Sequence, residues 1–159
     1  MKSTFIYIAF FMFAFIGHTQ AQNKLFEKLA DNDNVTVVYI SKSLLNMANN
    51  LDLGADGPDF KKLANKLDQI EIYSCDDDAK TIAMMKTEIK SLNNSSNLES
   101  FMTIKDKGQN VKFYGLKVKD IFKDLIMTVE GNNLATIIRI KGNFTSNDIQ
   151  NVMKNTTKK

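Results

Sequence analysis

The stretch Ser41-Lys42-Ser43 holds the residue types of a nucleophilic site, since it follows an apolar run and precedes a helical pattern. In that position a serine hydroxyl could attack a substrate, the lysine could act as its base, and the first helical turn could stabilise an anion. The alternative is structural: Ser41 or Ser43 caps the helix and Lys42 is solvated. We favour the structural interpretation, because serine is a preferred N-cap residue.

A second candidate is the acidic loop that begins at Asp52, which has part of a calcium-binding pattern. Asp52 and Asp56 occupy the first and fifth ligand positions, and Gly57 occupies the sixth. However, Gly54 stands at the third ligand position, and Leu63 replaces the bidentate glutamate that would close the site. We therefore predict no metal site here, only a loop followed by a helix over residues 58–67, which starts with the only proline.

Cys75 is the only cysteine, so no disulfide can form within the chain. We predict that it is a small buried residue at the end of a strand. The alternative is an intermolecular disulfide or a reactive thiol. Asp76, Asp77 and Asp78 follow directly, and their negative charge disfavours the thiolate that such reactivity requires.

The N-terminal residues have the pattern of a secretory signal peptide. Lys2 provides a positive charge, residues 5–16 form an apolar run of 12 residues, and Thr19 and Ala21 place small side chains before a cleavage point. As a helix, that run would span only about 18 Å of a membrane core about 30 Å thick, so we favour a cleaved signal over the alternative of a membrane anchor. We predict cleavage after Ala21, a domain over residues 22–159, and a periplasmic or secreted location without a lipoprotein cysteine.

Cleavage at that point would also remove His18, the only histidine. Ser-His-Asp and Cys-His catalysis need an imidazole base, and most zinc sites need His or several Cys, so the sequence excludes these classes for residues 22–159. Arg139 is the only arginine, and the net charge of +3 arises from interspersed lysines and acidic residues. We therefore expect no nucleic-acid partner.

An apolar β-branched run comes first among the elements that would position these residues. Residues 35–40 predict a strand near the sheet centre, covered on both faces and followed by a helix. A short amphipathic helix over residues 23–30 precedes it. Residues 70–73 alternate and predict a strand paired with the first, and residues 76–92 predict a helix with an acidic first turn.

From residue 98 onward the apolar period is two, which predicts a four-stranded antiparallel meander with turns at residues 106–108 and 131–133. A phase change in the second of these strands predicts a bulge near Tyr114-Gly115. Thr145 or Ser146 is expected to cap a last helix. The fold class is therefore α+β: a mostly antiparallel sheet, formed by two early strands plus the four-stranded C-terminal meander, packed with about five helices.

The pattern resembles DUF4252, a domain of unknown function in exported proteins of Bacteroidetes. The segments that carry the resemblance are Val38-Tyr39-Ile40-Ser41-Lys42-Ser43-Leu44-Leu45, Ile70-Glu71-Ile72-Tyr73, the hairpin start Phe101-Met102-Thr103-Ile104-Lys105-Asp106, the strand over residues 137–144, and Asp148-Ile149. The resemblance implies a small secreted or periplasmic domain. It brings no activity and no catalytic residues.

We expect a non-enzymatic envelope module that binds a protein or peptide partner, because the sheet has edges that could accept another strand. One alternative is a small-ligand-binding protein with a pocket lined by Phe101, Phe113, Tyr114 and Phe122. The other is a histidine-independent enzyme that uses Ser and Lys or carboxylates. The sequence assigns no catalytic, cofactor-binding or metal-binding residue, and no transmembrane segment is expected after cleavage.

Overall fold

A computed structural model describes residues 17–50, 65–94 and 98–150. The chain divides into two compact units, Met1–Asp33 and Asn34–Lys159. In the first unit, helix α1 (Gly17–Ala30) buries Leu25, Phe26 and Leu29, which recur at helical spacing. The helix predicted over residues 23–30 is therefore confirmed, and it begins earlier, at Gly17.

The second unit is built on a six-stranded sheet in the order β1-β2-β6-β5-β4-β3, with every neighbouring pair antiparallel. The strands are β1 (Thr36–Ser41), β2 (Leu67–Cys75), β3 (Leu98–Asp106), β4 (Gln109–Val118), β5 (Ile121–Glu130) and β6 (Ala135–Phe144). Its helices are α2 (Lys42–Asn50), α3 (Ala79–Asn93) and α4, which begins at residue 146 and is described to residue 150. No helix in the described parts of the chain is long and apolar enough to cross a membrane.

The α+β class, the meander from β3 to β6 and the pairing of β1 with β2 are confirmed. The described residues contain four helices rather than about five. The helix predicted over residues 58–67 lies mostly outside the described residues, but its last part is wrong. Asn65 and Lys66 form a turn, and Leu67 is the first residue of β2. Its apolar side chain fits a helical stripe in sequence, yet it packs in the core as a strand residue.

β1 is an edge strand, so the prediction of a central strand covered on both faces is wrong. β6 returns to pair with the other edge of β2 and leaves β1 with β2 as its neighbour. Val37, Val38 and Tyr39 are exposed. A β-branched and aromatic run indicates that the segment suits a pleated strand. It does not indicate whether other elements cover that strand.

The bulge predicted near Tyr114-Gly115 occurs on the strands beside β4 and not in β4 itself. In β3 the register shifts between Ser100 and Met102, so Phe101 is an extra residue there. In β5 Lys123 is an extra residue opposite the step from Leu116 to Lys117. A side chain on Gly115 would lie 2.5 Å from the Phe101 ring, so the glycine makes the room that the bulged aromatic fills.

One face of the sheet carries an aromatic cluster formed by Leu67, Phe122 and Phe144. The Phe101 and Phe122 rings meet edge to face with their centroids 5.1 Å apart. Further apolar side chains pack against this cluster from the sheet and from helices α2 and α4: Leu45, Ile70, Leu125, Ile140 and Ile149.

The opposite face of the sheet is the more deeply buried one. Its fully buried residues include Ile126, Thr128, Ala135 and Ile137, and helix α3, which contacts β6, buries a stripe of its own: Ile82, Met85, Ile89 and Leu92. The sequence suggests that Leu125, Met127 and Val129 form the apolar face of β5, but these side chains are only half-buried. The deeper face can contain polar residues because the charges there neutralise one another.

The helices of the second unit begin with side-chain caps. The Leu44 amide donates to Ser41 Oγ at 3.4 Å, and the Thr81 amide donates to Asp78 Oδ2 at 2.7 Å. At α4 the Thr145 amide and hydroxyl both donate to Asp148 Oδ2 at 2.7 Å, while the Asp148 amide donates back to Thr145 Oγ1. This reciprocal capping box confirms the prediction of a cap at Thr145.

We expect the capping box at α4 to make stability depend on pH. Burial alone would raise the pKa of Asp148, but hydrogen bonds from Lys66 and Thr145 outweigh it and hold the pKa below its ordinary 3.8. Because the folded state then holds the proton more weakly than the unfolded state, the stabilisation is complete above pH 3.8 and is lost as the pH falls through the lowered value. We expect the difference in free energy of unfolding between wild type and Asp148→Asn, measured by urea unfolding, to decrease as the pH falls from about 6 to about 2.

The control is Asp120→Asn, which removes an exposed carboxylate in the turn between β4 and β5. A gap between wild type and Asp148→Asn that stays constant over that pH range would contradict the role of Asp148.

Gly142 lies close to the Lys66 backbone, and we expect Gly142→Ala to be destabilising. A Cβ there would collide with the Lys66 carbonyl oxygen, which already accepts a hydrogen bond from the Asn143 amide. Overpacking of this kind reduces the free energy of unfolding by about 1–3 kcal/mol, which urea denaturation can measure. Gly131→Ala is the matched control, since its nearest neighbour is the flexible Leu134 side chain at 3.1 Å; an equal loss in both variants would contradict the prediction.

Candidate functional site

The serine and lysine at the end of β1 bond to different partners in the structure. Ser41 caps α2, as the structural interpretation predicts. The Lys42 Nζ donates to Asp68 Oδ1 at 2.7 Å, in an exposed ion pair between α2 and β2. Lys42 is thus paired with a carboxylate, while the Ser41 hydroxyl accepts from a backbone amide.

Cys75 is buried at the last residue of β2, which confirms the prediction. Its thiol lies 3.8 Å from both Asp77 Oδ1 and the Asp78 carbonyl oxygen. The acidic loop that begins at Asp52 lies outside the described residues.

The four aromatic residues of the pocket hypothesis do not line one cavity. Phe101 and Phe122 pack against each other at the place where Gly115 lacks a side chain. Tyr114 is the next residue along β4, so its side chain lies on the opposite face, where it is buried. Phe113 is half-buried.

A buried ionic cluster, which the sequence patterns do not predict, crosses three neighbouring inner strands, β2, β6 and β5, on the deeper face. Its middle is Arg139 on β6, whose side chain is 7% exposed. The Arg139 Nε donates to Asp124 Oδ1 at 3.0 Å and its Nη2 donates to Asp124 Oδ2 at 3.1 Å. This fork matches the carboxylate of β5 at both oxygens, the strongest geometry that arginine offers.

On the other side of Arg139 lies Glu71, on β2. The Arg139 Nη1 is 3.6 Å from Glu71 Oε2, and the Lys141 Nζ donates to Glu71 Oε1 at 3.0 Å. The Tyr73 hydroxyl donates to Glu71 Oε2 at 3.2 Å, and Gln69 Nε2 donates to the other oxygen. Two carboxylates and two cations thus alternate across β5, β6 and β2, and their charges sum to zero.

The Tyr73 hydroxyl beside this ionic cluster stays protonated. Burial raises the pKa of the Tyr73 hydroxyl, and the nearby Glu71 charge raises it further, so the phenol remains a hydrogen-bond donor throughout the physiological range. Since each charge has a partner of opposite sign, the ionic cluster links β5, β6 and β2.

A sequence signal for the ionic cluster exists. Glu71 lies between Ile70 and Ile72, and Arg139 lies between Ile138 and Ile140, so each charged residue interrupts an apolar strand. A charge in such a place is buried with a partner or faces water. The sequence does not say which, because the partners are far apart along the chain.

The described residues contain no group of three or more His, Cys, Asp or Glu side chains that could hold a metal ion. Glu71 and Asp124 approach a common centre, but the Arg139 guanidinium occupies it.

Among the residues that the structure describes, Met47 and Tyr39 are the most exposed large apolar ones. With three exposed neighbours they make up what we call the β1–α2 surface: Val37, Val38, Tyr39, Leu44 and Met47. Tyr39 is 61% exposed and Met47 is 62% exposed. Tyr39 stands opposite Glu71 in the β1–β2 register, so the surface begins beside the ionic cluster. Among the residues described, none pairs with the outer edge of β1.

The two edges of the sheet differ in how they are protected. β1 contains no charged residue, proline or register shift along its pairing with β2. The opposite edge strand, β3, contains Glu99, Lys105 and Asp106 and is bulged at Phe101. Charges and bulges are the features by which edge strands avoid pairing with other chains, so β1 is the open edge.

These features define an α+β domain with an antiparallel sheet, a buried ionic cluster at its centre and an unprotected edge. Residues 26–152 match the model of the family described as Domain of unknown function (DUF4252), and the chain belongs to that family. This confirms the resemblance identified from the sequence. No curated protein matches the chain, and no solved structure matches it.

We expect Arg139→Met to be strongly destabilising, because it leaves the Glu71 and Asp124 carboxylates buried without their cation. Breaking a buried pair in this way lowers the free energy of unfolding by about 3–5 kcal/mol. Lys42→Met breaks the exposed pair with Asp68 instead and should change it by less than about 1 kcal/mol. Urea denaturation measures both.

If Arg139→Met does not fold, Arg139→Lys gives the same information, since it keeps the charge but loses the fork to Asp124. A loss no larger for the Arg139 variants than for Lys42→Met would show that the ionic cluster does not hold the strands together.

Proposed function

We propose that this protein is an exported, non-enzymatic interaction module of the cell envelope, and that it binds a protein partner through the β1–α2 surface. The observation that carries the proposal is the unprotected outer edge of β1 together with its exposed apolar side chains. An open strand edge offers a row of backbone donors and acceptors, and the alternating side chains beside it supply selectivity.

The composition of the β1–α2 surface supports this role. Val37 and Tyr39 lie on one face of β1, and Val38 lies on the other, so a strand added there would gain apolar contacts on both faces. Leu44 and Met47, three residues apart, extend the apolar area along α2. Clustered exposed apolar residues of this kind mark interaction sites more often than isolated ones do.

The ionic cluster supports a rigid binding edge. Glu71, opposite Tyr39, is bonded to Arg139 and Lys141 on β6, so the strand that carries β1 is itself linked to the sheet centre. A preorganised edge loses less conformational entropy when a partner binds.

The N-terminal pattern supports export. A positive residue, an apolar run and small residues before Ala21 are the parts of a cleavable signal. In the periplasm or outside the cell, the partner would be another envelope or secreted protein.

Site-specific photo-crosslinking in the native cell tests the proposal. We expect a photoreactive amino acid in place of Tyr39 or Met47 to form discrete adducts with protein. The control replaces Ile104 on the protected edge strand β3, where a similarly exposed side chain, 45%, should give no adduct.

Equal adducts from all three positions, or none from Tyr39 and Met47, would contradict the proposed surface. The intact mass of the protein recovered from the envelope fraction tests export, since cleavage after Ala21 leaves residues 22–159 and the full-length mass would contradict it.

A further inference from the structure

We infer that the partner seated on the open edge of β1 is β1 of a second copy of this chain, paired antiparallel about a two-fold axis. The two six-stranded sheets would then form one continuous sheet. The inference rests on the proposed function, which it deepens by naming the partner.

β1 is complementary to itself. An antiparallel pair within a continuous sheet has its two-fold axis perpendicular to the sheet, so residues that face each other come from the same face of each copy. With the axis at Val38, the Val38 residues of the two copies face each other. Val37 of each copy then faces Tyr39 of the other. Aromatic and β-branched pairs are among the more favourable cross-strand neighbours.

No electrostatic repulsion opposes this pairing. The strand Thr36–Ser41 contains no charged residue, so the symmetric pairing places no like charges opposite each other. The same operation on β3 would pair Glu99 with Lys105 of the second copy, but the bulge at Phe101 interrupts the regular strand that such pairing needs. One edge of the sheet therefore offers a regular, uncharged strand for self-association, and the other edge offers a bulged one.

Helix α2 adds apolar area beside the joined strands. Leu45 packs on the face that carries the aromatic cluster and Ile70, and the β1–β2 register places Val38 on the same face. A two-fold axis perpendicular to the sheet keeps that face on one side in both copies. Both α2 helices would thus lie on the same side of the joined sheet, where the exposed Leu44 and Met47 of each copy flank the new strand pair.

Cysteine crosslinking of the purified protein tests the pairing and its register. In Val38→Cys the two thiols would face each other across the axis, at a Cα separation of about 4.5–5.5 Å that suits a disulfide. We expect mild oxidation, then thiol blocking before denaturation, to give a covalent dimer. Ile104→Cys, with 45% exposure against 43% for Val38, is the matched control, and wild type reports on the buried Cys75.

A charge at the same position tests the affinity without a crosslink. Val38→Lys would place two ammonium groups opposite each other at the axis, and we expect it to raise the dimer dissociation constant at least about tenfold in sedimentation equilibrium. Ile104→Lys should leave the constant unchanged. Thermal melts of both variants verify that the exposed substitutions leave the fold intact.

The inference is overturned if wild type is monomeric at all concentrations tested, if Ile104→Cys crosslinks as well as Val38→Cys, or if Tyr39→Cys crosslinks in place of Val38→Cys. Cellular photo-crosslinks at Tyr39 to a different protein, with a monomer in solution, would overturn the dimer and leave the proposed function standing. The absence of any adduct would reject both.

Discussion

The sheet depends on one guanidinium. Arg139 is the only arginine in the sequence, and it lies buried on β6 between Asp124 of β5 and Glu71 of β2. Removing charges from water is unfavourable, and it is tolerated here because the fork to Asp124 and the flanking Lys141 compensate the charges locally. An ionic cluster of this geometry permits little register slippage, since a shift of one residue would turn each charge to the other face.

That constraint explains the arrangement of the rest of the second unit. With the deeper face organised by paired charges, the apolar side chains that alternate with them point to the opposite face, where Phe122, Phe144 and Leu67 form the aromatic cluster. Glycines at positions 115 and 142 admit the Phe101 ring and the Lys66 backbone into that cluster. The ionic face specifies the register and also carries most of the fully buried apolar side chains, whereas the aromatic face contributes the cluster of Leu67, Phe122 and Phe144.

The two edge strands of the sheet differ in how they are protected against pairing with another chain. β3 is charged and bulged, whereas β1 is neutral, regular and apolar on both faces. An unprotected edge strand is prone to aggregation unless something occupies it. A partner bound along β1 would pair the backbone groups of its open edge. The ionic cluster beside Tyr39 links that edge to the rest of the sheet.

The sequence by itself determined the class of fold, the meander, the pairing of β1 with β2 and the caps at Ser41 and Thr145, because periodicity, turn residues and capping act between residues close along the chain. It also carried the family resemblance, which the match over residues 26–152 confirms. It could not place β1, since the run Val37-Val38-Tyr39 suits a central strand and an open edge equally. Only the tertiary structure decided that β6 takes the inner edge of β2, and that Arg139 meets Glu71 and Asp124. Both outcomes depend on contacts between residues distant in sequence, for which local patterns carry no information.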